Sequence, residues 1–221
     1  MKSAIKTIQE RLEKVLFGND DEYKRLDSIQ SSDPDFMKYN PNVMGYDSTA
    51  EQQYIYQNNT LGFDASLFSI LDIGCGRGDL YGHLQQITDN NIFSYAGVDH
   101  NPIMQTIAKE KYNIDITCSS FEKFTSTPYD WVVAIGYFLQ RRTDSTDTEL
   151  IKVFDDIDKM YNLCNTAVSF NLLSPINIET QPEFFYMHPG LIMDMLIEKY
   201  QYVNIRHNYS NSMYTITIFK K

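Results

Sequence analysis

The chain reads as a doubly wound α/β protein. Three observations predict this. Strand-like apolar runs alternate with amphipathic helix-like segments from Ser69 onward, and a glycine-rich turn follows the first of those strands. The third is size and composition: 221 residues, 43% hydrophobic and 22% charged, suit one such sheet with an N-terminal extension. Strand–helix alternation implies a mostly parallel sheet, because parallel strands need crossover helices between them.

Residues 1–17 place Ile5, Ile8, Leu12, Val15 and Leu16 at helical spacing, and Gly18 stops the pattern. Residues 18–66 are rich in Tyr, Asn, Asp and Ser and contain Pro34, Pro41, Gly45 and Gly62. They predict an irregular cap with a short helix around residues 49–58. Residues 1–66 are thus expected to form a helix and cap, and 67–221 the main domain. Within that domain, residues 69–73 predict a buried strand, 79–87 a helix and 95–98 a strand ending at Asp99. Residues 102–112 predict a helix with Pro102 in its first turn, where the missing N–H costs nothing. Residues 114–118 form a short strand, and 130–135 a buried one through Val-Val-Ala-Ile. Residues 147–162 predict a helix carrying Leu150, Val153, Phe154, Ile157, Met160 and Tyr161 on its apolar side. A strand over 166–172 and a helix over 190–200 follow. Residues 201–208 and 213–220 close the pattern as a hairpin turning at Tyr-Ser-Asn-Ser, expected to add an antiparallel edge strand and bring the total to seven.

Charge narrows the function. With 19 Lys and Arg against 29 Asp and Glu, the net charge is −10. Nucleic-acid binding relies on basic groups neutralising phosphates, so an acidic chain favours a small-molecule or protein substrate. Arg141-Arg142 is the only adjacent arginine pair, and Asp144 and Asp147 follow it. No apolar run approaches the roughly 20 residues of a membrane span. The opening residues are amphipathic, unlike the apolar centre of a signal peptide. Cys75, Cys118 and Cys164 match no metal spacing and are expected to be reduced structural thiols of a cytoplasmic protein, with no metal site. The oligomeric state is left open.

The chemistry-bearing motif is Asp72-x-Gly74-x-Gly76-x-Gly78, placed between a strand and a helix. Glycines there let the backbone turn sharply and approach a ligand without a Cβ in the way. Asp99 closes the next strand, 99 − 78 = 21 residues past the last glycine, a distance at which an acid accepts from ribose hydroxyls. In open sheets of this kind ligands bind beyond the carboxyl ends of the strands. A dinucleotide turn, G-x-G-x-x-G, requires glycine at residue 79, and Asp79 stands there. A carboxylate beside a pyrophosphate is repulsive, so a nicotinamide cofactor is disfavoured. S-adenosylmethionine has no phosphate and carries a cationic sulfonium and an ammonium, which acidic Asp72 and Asp79 suit.

Residues 71–80 resemble motif I of the class I S-adenosylmethionine-dependent methyltransferases, D-x-G-x-G-x-G. Gly97-Val98-Asp99-His100-Asn101-Pro102 resembles the family's second motif. The resemblance implies a Rossmann-like sheet and S-adenosylmethionine as cofactor, with S-adenosylhomocysteine as product. It further implies that Gly74 and Gly76 line the methionine and ribose and that Asp99 holds the ribose diol. Ser120 stands where the family often has Asp, and Phe121 would offer its N–H to adenine. Gly136, after the fourth strand, would allow close approach of the sulfonium. The expected cofactor-binding set is Asp72, Gly74, Cys75, Gly76, Asp99, His100, Ser120, Phe121 and Gly136.

Substrate-facing candidates are Tyr137 and Phe138 beside Gly136, Tyr46 in a lid element over residues 45–54, and Asn171 and Tyr186. The last two lie in segments that resemble a group of small methyltransferases without an agreed substrate: Phe170-Asn171-Leu172-Leu173-Ser174, and Phe185-Tyr186 before Pro189. The fourth loop lacks the (Asp/Asn)-Pro-Pro-(Tyr/Phe) of amino-methylating DNA enzymes, and no cysteine follows a proline as cytosine-C5 enzymes require. Among the histidines, His188 is the candidate general base, while His83 and His207 read as structural. The expected function is methyl transfer to O or N of a small molecule. The competing reading is a catalytically silent cofactor-binding module acting as regulator or partner subunit.

Overall fold

A computed structural model of the protein describes residues 38–44, 46, 48–63, 69–88, 94–176 and 178–221. The helix expected over 1–17 and most of the cap lie outside the described residues, as do Gly45 and Asp47 of the lid element. The chain divides into two compact units, Met1–Ile55 and Tyr56–Lys221. In the first, Pro41–Met44 makes a single 3-10 turn. The Tyr46 N–H donates to the Pro41 carbonyl at 3.2 Å. Ser48 Oγ accepts from the Glu51 N–H at 3.1 Å and caps helix α1 (Thr49–Asn59).

The second unit is built on seven strands: β1 (Ser69–Ile73), β2 (Ser94–Asp99), β3 (Thr117–Cys118), β4 (Tyr129–Ala134), β5 (Cys164–Leu173), β6 (Val203–Arg206) and β7 (Met213–Phe219). They lie in the order β3-β2-β1-β4-β5-β7-β6. Strands β1 to β5 pair in parallel, and β7 runs antiparallel to both β5 and β6. The crossover helices are α2 (Asp79–Ile87), α3 (Pro102–Tyr112), α4 (Thr146–Asn162) and α5 (Pro189–Tyr200). Leu71 and Ile73 join one apolar cluster with Val153, Ile157 and Met160 of α4 and Ile192 and Leu196 of α5. Side chains alternate across a strand, so Ile70 and Asp72 face the opposite way. Among the described residues no helix is long and apolar enough to cross a membrane.

One expectation needs correction. The antiparallel strand is not an edge: β7 is inserted between β5 and β6, and β6 is the edge. Burial explains this, since β7 is mostly buried while β6 has no fully buried residue. Cys75 and Cys164 are buried, but β3 ends at Cys118 on the exposed rim.

Candidate active site

The strand order reverses between β1 and β4, which are adjacent although β2 and β3 intervene in sequence. Crossovers leave such a pair in opposite directions and open a crevice at their carboxyl ends. The glycine turn leaves β1 at this point. Gly74, Gly76 and Gly78 have φ of 67, 50 and 79°, all left-handed, so glycine suits each. The turn is tied to β2: the Gly74 N–H donates to the Val98 carbonyl at 2.8 Å. A Cβ at Gly78 would meet Ile114 Cδ1 at 2.7 Å, so this glycine serves packing against α3 and its following loop.

Asp99 organises the turn from the end of β2. Its Oδ2 accepts from the Gly76 N–H at 2.9 Å and its Oδ1 from the Asn101 N–H at 2.8 Å. A carboxylate has about four lone-pair positions, so two such bonds leave capacity for ligand hydroxyls. Asn101 in turn caps α3 through the Ile103 N–H at 2.9 Å. His100 Nδ1 lies 3.8 Å from Asp99 Oδ1, with the imidazole 70% exposed.

Asp72 is buried at the end of β1, and its Oδ2 accepts from the Tyr95 hydroxyl at 2.8 Å. Burial pushes its carboxyl up to about 7, against the Tyr95 hydrogen bond, with Asp99 and Asp79 adding to the rise. The buried Cys75 thiol packs where a Cβ of Gly97 would meet it at 2.7 Å and donates to the Gly76 carbonyl at 3.6 Å.

The mechanism expected of Asp79 is corrected. Its carboxylate meets Arg77 Nε at 2.7 Å, Lys111 Nζ at 2.7 Å and the Tyr112 hydroxyl at 2.9 Å. Burial acts to raise its pKa, and the two cations outweigh that and lower it. Its charge is balanced within the protein by Arg77 and Lys111. The negative groups that border the turn are Asp72 and Asp99.

Beyond β3, Ser120 is half-buried, and Phe121 is a core aromatic, 4% exposed. Phe121 meets Tyr137 edge-on at 6.1 Å between ring centres. Tyr137 follows Gly136, whose φ is 84° and whose Cβ position faces open space. Asn171 of β5 reaches across and accepts from the Gly136 N–H at 2.7 Å. Tyr137 approaches the glycine turn, and a Cβ at Gly74 would meet its Cδ2 at 3.0 Å. Phe138 turns the other way, into the core against Phe170, so it is packing rather than the expected wall.

The loop after β4 pairs with a later segment. The Phe185 N–H donates to Leu139 O at 2.9 Å, Arg141 N–H to Glu183 O at 2.9 Å, and Met187 N–H to Leu173 O at 2.9 Å. Tyr186 sits on this segment, half-buried, and its hydroxyl accepts from the Gln181 N–H at 3.3 Å. His188 has a structural post: it is exposed, and its Nδ1 caps α5 by accepting from the Gly190 N–H at 3.2 Å. His83 is buried, and burial lowers its pKa. Tyr46 belongs to the first unit. Among the described residues, no group of three or more His, Cys, Asp or Glu could hold a metal ion.

Sequence reasoning missed the charged set behind Tyr137. Arg142 Nε meets Glu149 Oε1 at 3.0 Å, its N–H donates to Glu149 Oε2 at 2.7 Å, and its NH1 meets Asp156 Oδ2 at 2.5 Å. The Tyr137 hydroxyl donates to the same Asp156 oxygen at 3.2 Å. A signal existed: Glu149 falls on the apolar stripe of α4, where a carboxylate needs a cation.

A doubly wound sheet with β7 inserted beside β5, and a glycine turn facing an acid at the end of β2, match the Rossmann-like methyltransferase fold. Residues 70–157 match the family described as methyltransferase domain. A Mycobacterium tuberculosis protein whose name places it among the methyltransferases is 29% identical over 166 residues, 71% of this chain and 95% of that one. Magnesium protoporphyrin IX methyltransferase from Synechocystis PCC 6803, solved with bound S-adenosylmethionine, shares the fold with a TM-score of 0.59 at 12% identity, covering 93% of this chain and 99% of that one. The plantazolicin methyltransferase, solved with S-adenosylhomocysteine, shares it at 0.56 and 14%, covering 98% and 99%. The chain is thus similar to S-adenosylmethionine-dependent methyltransferases in fold, and residues 70–157 match the methyltransferase domain family.

Proposed function

We propose that the protein is an enzyme that methylates an oxygen or nitrogen of a small-molecule acceptor. The observation that carries this reading is the crevice between β1 and β4, where Gly74 and Gly76 offer bare backbone, Asp99 keeps acceptor capacity, and Gly136 faces open space. In this reading Asp99 accepts from the ribose hydroxyls, with His100 at its rim. Ser120 and Phe121 border adenine, and Gly74 to Gly76 run beside the methionyl chain. Asp72 balances the cationic end of the cofactor. The buried carboxyl of Asp72 also fits a cation better than a pyrophosphate. The cofactor, when bound, supplies an electrophilic sulfonium methyl group.

The chain's own contribution is positioning, which supplies up to about 7–11 kcal/mol in favourable cases. Burial pushes the Tyr137 phenol well above its ordinary range, and its hydroxyl is already bonded to Asp156. It is therefore a wall that orients, not a base. Asn171 fixes Gly136, and Tyr186 borders the acceptor side. The net charge of −10 and three free thiols suit a cytoplasmic enzyme of small molecules rather than of nucleic acid.

A second reading, a cofactor-binding regulator without turnover, draws support from one observation: His188, the candidate base, is committed to capping α5. Thermal-shift assays with S-adenosylmethionine, S-adenosylhomocysteine and NAD test the cofactor. Stabilisation by NAD alone sinks both readings. Labelled S-adenosylmethionine incubated with metabolite pools then separates them, because a regulator binds and transfers nothing.

A further inference from the structure

Helix α4 carries three charged side chains that leave it toward the two loops of the crevice. Glu149, Asp156 and Lys159 lie seven and three residues apart, spacings that return to neighbouring positions on one helix face. Glu149 is fully buried and Asp156 is 16% exposed on its side chain. Both hold Arg142, and Asp156 also accepts from the Tyr137 hydroxyl. Arg142 lies over the Tyr137 ring, 5.5 Å from its centre. One turn on, Lys159 Nζ donates to the Phe121 carbonyl at 2.5 Å and the Glu122 carbonyl at 2.9 Å. It also sits over the Phe121 ring at 4.7 Å. The two loops meet where Phe121 and Tyr137 touch edge to face.

We infer that α4 is the positioning element of the cofactor site, Lys159 setting the adenine loop and Asp156 setting Tyr137 at the methionyl end. This rests on the cofactor reading given under Proposed function. Neither side chain needs to touch the ligand. Lys159 fixes the backbone at Phe121, whose own peptide borders adenine. Two charge-assisted bonds to one loop, from one ammonium, leave little freedom to that backbone. Asp156 and Arg142 fix the phenol of Tyr137, so its ring stays beside Gly74. The apolar stripe of α4, with Val153, Ile157 and Met160 in the core, holds the helix still while its polar residues do this.

The inference is tested by calorimetry on the full chain with two probes, S-adenosylhomocysteine and adenosine, the latter by competition. Lys159→Met is expected to weaken both by about tenfold, the scale of a charged hydrogen bond, and Lys159→Arg to restore both. Asp156→Ala is expected to weaken S-adenosylhomocysteine by a similar factor and leave adenosine within about twofold, because adenosine lacks the methionyl end. Melting temperatures are read alongside. Wild-type binding with both variants unchanged overturns the inference and spares the cofactor reading. Equal losses for both probes in all three variants, Arg included, mean a merely structural role and also overturn it. A wild-type chain that binds neither probe removes the cofactor reading and the inference together.

Discussion

The two banks of the crevice are built by different means. On the β1–β2 bank, residues 74–101 organise themselves: the Val98 carbonyl takes the Gly74 N–H, and one carboxylate, Asp99, takes the N–H groups of Gly76 and Asn101. On the β4–β5 bank, the loop after Ala134 is held from afar, by Asn171 at Gly136, by Glu149 and Asp156 at Arg142, and by Phe185 at Leu139. The first bank is held by groups of its own two strands and turn. The second is held by groups from later elements, mostly side chains. The difference is one of reach: one carboxylate, Asp99, anchors the first bank, whereas the second depends on several side chains brought by α4 and β5.

Changes on the first bank should have the largest effect on binding. Asp99→Ala is expected to lower S-adenosylhomocysteine affinity roughly 100-fold, since it would remove the proposed ribose contact together with the anchor of the turn. Calorimetry that returns wild-type affinity would falsify the ribose assignment. Next comes the second bank's support. Glu149→Gln removes a buried charge facing Arg142 and should cost about 2 kcal/mol of stability, read as a lower melting temperature. An unchanged melting point would show that Asp156 alone suffices for Arg142.

A smaller effect concerns pH. The Asp72 carboxyl titrates near 7 in the folded protein against 3.8 ordinarily, so the folded state keeps a proton that the unfolded chain gives up. That stability is fully present below about 4 and is lost as pH rises toward and through about 7. Asp72→Asn removes this slope. Melting curves of the two proteins should therefore move in the variant's favour from pH 4 to pH 8, and parallel curves would rule out a raised carboxyl. The smallest effect is expected at His188. His188→Ala loses one cap bond, under about 1 kcal/mol, and leaves cofactor affinity intact. A loss of methyl transfer of roughly 100-fold at an unchanged melting temperature would instead make His188 a base.

Legibility followed the same division. The helices over 79–87 and 102–112 were readable to the residue, because Gly78, Asn101-Pro102 and the apolar spacing are local signals. The turn and its acid were readable because their spacing is fixed by one strand and one helix. The partners of Arg142 were not, because Glu149 and Asp156 meet it only once α4 has docked on the sheet. Asp79 shows the limit from the other side. Its charge and the nearby Arg77 were visible in the sequence, but Lys111, which shares it, became a neighbour only once α2 and α3 lay together. The place of β7 was hidden for the same reason, since a hairpin pattern says which strands pair with each other and not which of the two joins the sheet.

That place has a consequence for how the molecule is made. Strand β5 is the longest strand among the described residues, yet its partner on one side, β7, is synthesised some forty residues later and after the strand that ends up outside it. While the chain leaves the ribosome, the backbone groups of Ala167–Leu173 stand unpaired along an apolar edge. Until Met213–Phe219 is made and docks, that edge lacks its native partner and offers a template for wrong pairing.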